Sequence, residues 1–204
     1  MAHDRSTAFL GLAASVLFFL ALSAFGALDP AYSHTTKAVS ELGSVGAPNQ
    51  LSWNLIGFLA VGVLLALFGW RLGGRVDDRA AKWSLMLFGL SFAATAIPAD
   101  MNNLRSAGST AHIVASIAAF LFWALALIRL VWINVPLRGL KLVAGIALVL
   151  AVGSIILRTS ELLLPGLAQR ISFSVMFGWV AVAAILLLRS AGEETQPRAS
   201  QTSA

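Results

Sequence analysis

The chain has 204 residues, 58% of them hydrophobic and 11% charged, with a formal net charge of +5 and no cysteine. Soluble domains carry about a quarter charged residues, so this is the composition of an integral membrane protein, most simply a single domain. The absence of cysteine excludes disulfides, thiolate catalysis and Cys-ligated metals.

A helix needs about 20 apolar residues to cross the hydrocarbon. Six segments meet or approach that length: about 8–28, 51–71, 83–99, 109–132, 139–157 and 171–189, the third and fifth being the shortest. Backbone polar groups in lipid must be satisfied within a helix or a closed barrel, and such long unbroken runs exclude a barrel. The expected fold is therefore all-α, a polytopic six-transmembrane-helix bundle over residues 1–190. The small, polar, proline-containing stretch 191–204 is too poor in apolar surface to fold and is expected to be a disordered cytoplasmic tail. The first segment has a charged head and small residues near its end, as a signal peptide does. Its 21 apolar-dominated residues favour a retained helix.

The loops alternate in charge. One set, with the termini, holds Arg5, Arg71, Arg75, Arg79, Lys82, Arg129, Arg138, Lys141, Arg189 and Arg198. The other holds Lys37, Arg105, Arg158 and Arg170. By the positive-inside rule both termini are expected on the cytoplasmic side of a cell (inner) membrane. The basic residues serve topology and contact with anionic lipid. They are scattered among short loops without a stacking platform, so no nucleic-acid partner is expected. Trp70, Trp83 and Trp132 sit beside the basic loops and read as interfacial anchors, while Trp123 and Trp179 fall within spans and read as packing residues. Gly62 and Gly69, one heptad apart, are expected to let two helices approach closely. No internal repeat is evident, which disfavours an inverted-repeat transporter.

The three loops of the opposite face, 29–50, 98–112 and 158–170, carry the chemistry. Asp29, Glu41, Asp100 and Glu161 balance the four basic groups there. Several polar groups fall at or inside span ends: Asn54, Asp100, His112 and Arg170, with Arg158 and Glu161 three residues apart at the end of the fifth segment. Charged groups within hydrocarbon are costly and are kept where they face a partner or a wet cavity. An outward-opening polar pocket is therefore expected, closed by the 29–50 loop and lined by Asp29, Ser40, Glu41, Asn49, Asn54, Asp100, His112, Gln169 and Arg170. Within that loop Ser40 and Glu41 can cap or pair, and Gly43 and Gly46 permit positive φ. Asp100 and His112 can meet across a short loop, where the carboxylate would orient the imidazole for acid–base work. No His-x-x-His or His-Glu-x-x-His spacing is present, so no metal or other cofactor is expected. Ser40, Ser106 and Ser109 are nucleophile candidates, but none lies in a Gly-x-Ser-x-Gly elbow.

The segments "VSELGSVGAPNQLSWNLIGFLAVG", "IPAD" before "STAH", and "GLAQRISFSVMFGW" occur in that order. Together they resemble the bacterial and archaeal membrane proteins of domain-of-unknown-function family 998. The resemblance covers nearly the whole chain except the tail. It implies about six helices and assigns family motifs to Ser40, Glu41, Leu42 and Gly43, to Pro98 and Asp100, to His112, and to Gly166, Leu167 and Arg170. Many members carry a glutamate where this chain has Gln169, and cysteine near the Pro-x-Asp motif, where this chain has none. The resemblance supplies no substrate.

Three readings stay open. One is binding or movement of a lipid headgroup or small polar solute, with Arg170 holding an anionic group and membrane lipids as partners. The second is a membrane-embedded enzyme acting on a lipid at the outer leaflet, with His112 as acid–base and Asp100 as its orienter. The third is a structural membrane subunit whose polar clasps fix helix packing.

Overall fold

A computed structural model describes residues 2–160 and 162–193. The described residues contain six long helices: α1 (Ala2–Leu28), α2 (Gln50–Arg75), α3 (Arg79–Ala94), α4 (Ala107–Trp132), α5 (Leu140–Thr159) and α6 (Pro165–Glu193). Among these residues there is no strand. Helices α1, α2, α4, α5 and α6 are long and apolar enough to cross a membrane. The all-helical, membrane-type fold expected from composition is present.

α3 is the exception. It has 16 residues, short of the roughly 20 that a perpendicular span requires. The apolar run 83–99 does not predict its limits. The helix starts earlier, where Asp78 caps it by accepting the Ala81 N–H at 2.8 Å. It stops at Ala94 because a helical Pro98 would press its ring on the carbonyl four residues back. At the other end of the chain α6 runs to Glu193, into the region expected to be tail. The rest of that tail, 194–204, and Glu161 lie outside the described residues.

The helices pack in chain order, each against the next, and α6 closes the ring on α1. Phenylalanines fill the middle. Phe18 of α1 is fully buried and stacks on Phe177 of α6 at 4.2 Å, with Phe92 of α3 edge-on to both. α1 is thus integral to the core. Trp123 and Trp179 are buried, whereas Trp70, Trp83 and Trp132 are exposed.

The α2–α3 seam is the tightest contact in the ring. A Cβ at Gly62 would sit 2.3 Å from Ala93 N, and one at Gly89 only 2.1 Å from Ala66 N, so backbones touch where side chains would normally intervene. The α4–α5 pair is the sparsest neighbouring contact. α2 also contains a π-helical segment, Asn54–Ala60. The Trp53 ring occupies the space a Cβ at Gly57 would need, 2.8 Å away. π-turns of this kind re-aim side chains inside a helix.

A candidate functional site in a lateral cavity at the charge-balanced end

Between α4, α5 and α6, beside the sparse contact, lies a cavity of about 520 Å³. That falls in the usual size range of ligand pockets, about 300–1,000 Å³. Its walls change character with depth. Near the helix ends it is lined by Ser40, Thr95, His112, Arg158 and Gln169, and one turn further by Ser116 and Ser172. Deeper, Phe92, Phe120, Phe173 and Met176 replace them. Ile113, Ile117 and Leu121 of α4 and Ile155 of α5 form a rim on the side that faces away from the bundle, each between 42% and 55% exposed. The cavity is therefore polar at one end, apolar at the other, and open to the side.

His112 is held by backbone. Its Nδ1 lies 3.0 Å from the carbonyl oxygen of Ile97, and its ring packs edge-on to Phe58. A carbonyl only accepts, so Nδ1 carries a proton, and in the tautomer this selects any lone pair is on Nε2. Nε2 has no hydrogen-bond partner among the described residues. The expected Asp100–His112 hydrogen bond does not form. The Asp100 carboxylate instead accepts the Asn102 N–H at 2.9 Å, closing its own turn. Ile97, one residue before Pro98, supplies the orienting group assigned to Asp100 from sequence.

The 98–109 loop is tied by Ser109, which is fully buried. Its Oγ accepts the Asp100 N–H at 2.9 Å and approaches Asn103 O at 3.0 Å and Ser106 Oγ at 2.8 Å. That hydroxyl is a staple, and Ser106 caps α4. Neither is placed as a nucleophile.

The 29–50 loop folds over the same end. Val39–Gly43 forms a single 3₁₀ turn. Glu41 closes it, accepting the Ala38 N–H at 2.8 Å. Gln169 Oε1 accepts the Val39 N–H at 2.6 Å, which pins the turn to α6. An amide oxygen does there what a carboxylate would do. Asn54 is buried and donates through Nδ2 to the Gly43 carbonyl at 2.9 Å, while its Oδ1 has no partner among the described residues. Asp29 accepts the Ala31 N–H in a local turn, and Asn49 sits before α2 with no side-chain cap bond.

Arg170 was expected to hold an anion, and its geometry is otherwise. Nη1 donates to Lys37 O at 3.0 Å and Gly166 O at 2.8 Å, Nη2 to the Tyr32 hydroxyl, and both Nε and Nη2 reach His34 Nδ1 at 3.2–3.3 Å. A guanidinium has five N–H groups, and these contacts occupy every nitrogen. Gly166 permits this close docking, since a Cβ there would lie 2.5 Å from Lys37 O. Burial pushes the Tyr32 hydroxyl pKa up, against the opposing pull of Arg170. Burial and then the Arg170 charge lower that of His34.

Of the residues singled out from sequence, the structure thus brings Ser40, His112 and Gln169 to the cavity. Asp29, Glu41, Asn49, Asn54, Asp100 and Arg170 go to the scaffold around it. Arg158, Thr95, Ser116 and Ser172 were missed as lining. Spacing carried a signal for two of them: Ser116 is four residues after His112 and Ser172 three after Gln169, so each pair shares a helix face. Among the described residues no three His, Asp or Glu side chains converge as metal ligands would.

A family model described as Protein of unknown function (DUF998) matches residues 12–186. The chain belongs to that family. The match takes in every element of the DUF998 cavity, from the 3₁₀ turn to Met176. No curated protein and no solved structure matches the chain.

Proposed function

We propose that this DUF998 protein is a six-span membrane protein, with both termini on the cytoplasmic side, that holds an anionic amphiphile in the lateral cavity. The observation that carries the reading is the gradient along that cavity, from Arg158, Gln169 and His112 to Phe120, Phe173 and Met176. A headgroup anion pairs with Arg158, which is exposed at the mouth and has no partner among the described residues. The chain lies along the phenylalanines, entering past Ile113 and Ile117 without leaving the bilayer. α3 serves as the sixth span. It packs between α2 and α4, both of spanning length. An even number of spans and the excess of Lys and Arg at the terminal end support the orientation.

Native mass spectrometry of gently extracted protein tests this. The expected result is an anionic lipid adduct that is present on the wild type and absent from Arg158→Gln, so that the variant carries one bound lipid fewer. Adducts of equal abundance and composition on both proteins would refute it. A second reading has one specific support, the lone pair on His112 Nε2 at the mouth. It would take a proton from a bound headgroup or from water, making the protein an enzyme on the same lipid. In that case His112→Gln retains the adduct and loses conversion of the lipid, whereas under binding alone no lipid product forms with either protein.

A further inference from the structure

At the opposite end of the bundle a second cavity, about 400 Å³, is lined by His3, Trp70, Arg71, Gly74, Arg75 and Lys82. It is built from three helices: the start of α1, the end of α2 and the start of α3. The tight α2–α3 seam brings them together, since a Cβ at Gly73 would lie 2.2 Å from Lys82 Cα. The basic side chains are held in place. Lys82 Nζ sits 3.4 Å from the centroid of the Trp70 ring, which packs edge-on to Trp83. Arg71 Nη1 donates to Ser6 Oγ at 3.0 Å. Asp4 is taken by Arg75 at 3.4 Å. Arg71 and Lys82 have no carboxylate partner among the described residues, yet both line this one cavity.

We infer that this cavity is a binding site for a phosphate ester anion, supplied by an anionic phospholipid headgroup at the membrane surface. Like charges converging on one cavity repel unless an anion sits between them, and a phosphate accepts from a guanidinium fork and an ammonium together. Trp70 and Trp83 are 38% and 50% exposed, as aromatic side chains at headgroup depth are. The site is separate from the lateral cavity and does not depend on its occupant. Juxtamembrane basic residues attract anionic lipid in general. Here the attraction is confined to a formed cavity, so removing cations inside it and outside it has unequal effects.

The test is thermal unfolding of the full chain in neutral detergent, in an Arg158→Gln background that removes the cation of the other cavity. Phosphatidylglycerol, phosphatidylcholine or inorganic phosphate is added. Phosphatidylglycerol is expected to raise Tm well above phosphatidylcholine. Arg71→Gln or Lys82→Gln abolishes that increment, and Arg5→Gln or Arg79→Gln retains it. A comparable rise with millimolar inorganic phosphate, lost in the same two variants, keeps the site and overturns the lipid as its source. Equal increments from both lipids overturn the inference, as does an equal loss in all four variants. Should the two cavity variants fail to fold, native spectra decide. A phosphatidylglycerol adduct that outlasts phosphatidylcholine on collisional activation supports the site, and equal survival contradicts it.

Discussion

Replacing Arg170 by alanine separates a strut from a ligand group. The side chain joins α6 to four points of the 29–50 loop and its own helix: Tyr32, His34, Lys37 O and Gly166 O. A hydrogen bond to a charged group is worth about 1.5–3 kcal/mol net. The partners are half-exposed or shared, and bonds in one cluster do not add, so the whole set is worth about 2–4 kcal/mol. For a chain of this length each kcal/mol moves Tm by about 2–4 °C, giving a fall of about 4–16 °C for Arg170→Ala. Lysine offers three donors from one point and cannot span the same acceptors, so Arg170→Lys recovers only part of it. Limited proteolysis of the 29–38 segment should speed up in step with the Tm loss. Bound lipid, counted per folded molecule, should stay at the wild-type level. An unchanged Tm with loss of bound lipid would refute the strut and return Arg170 to the role of anion ligand.

Acid should loosen the same junction. His34 Nδ1 accepts from Arg170, so only the neutral ring fits, and its pKa is held below the ordinary value of 6.5. Between that lowered value and 6.5 the unfolded chain binds more protons, so the contribution is full above about pH 6.5 and fades as pH falls below it. In His34→Gln the Tm should lose this part of its pH dependence, and an unaltered Tm–pH profile would count against it. Gly89→Val drives a side chain into the Ala66 backbone and should cost more than about 4 kcal/mol, seen as loss of monodisperse protein on size exclusion. A wild-type elution profile and Tm would show the seam to be loose. Asp78→Ala removes the α3 cap and the bidentate contact with Arg129. The cap is worth about 1 kcal/mol and the solvent-exposed pair adds little, so a Tm drop of a few degrees is expected. The hydrogen bond from Arg129 chiefly lowers the Asp78 pKa, so this contribution is present above about pH 3.8 and lost as pH falls further. An Asp78→Ala protein as stable as wild type at pH 7 would rule the clasp out.

Much of the bundle was legible because lipid imposes simple rules. Apolar run length located five helices, and the heptad from Gly62 to Gly69 announced the close α2–α3 approach. α3 was misjudged because its apolar run continues past the point where Pro98 forbids a helix. The π-segment at Asn54 was invisible, since the apolar run through it reads as an ordinary helix. For the cavity, the sequence singled out the end of the molecule where it lies and His112, which lines it, but not the hydrogen-bond partners. Polar residue types in loops do not say which acceptor is nearest. The Ile97 carbonyl, present in every residue type alike, took the place expected of Asp100. Arg158 and Arg170 look equivalent in sequence. Only the fold of the 29–38 loop shows that one is surrounded by acceptors and the other opens on the cavity.

The central claim is that an amphiphile lies in the lateral cavity. It is tested most directly by photolabelling with an anionic phospholipid carrying a photoreactive group in its chain, followed by peptide mapping. The account predicts labels concentrated on 113–121 and 172–176 and sharply reduced by Arg158→Gln. Labelling spread evenly over outward-facing positions such as Leu142 and Val149, 68% and 73% exposed, and unaffected by Arg158→Gln, would contradict it.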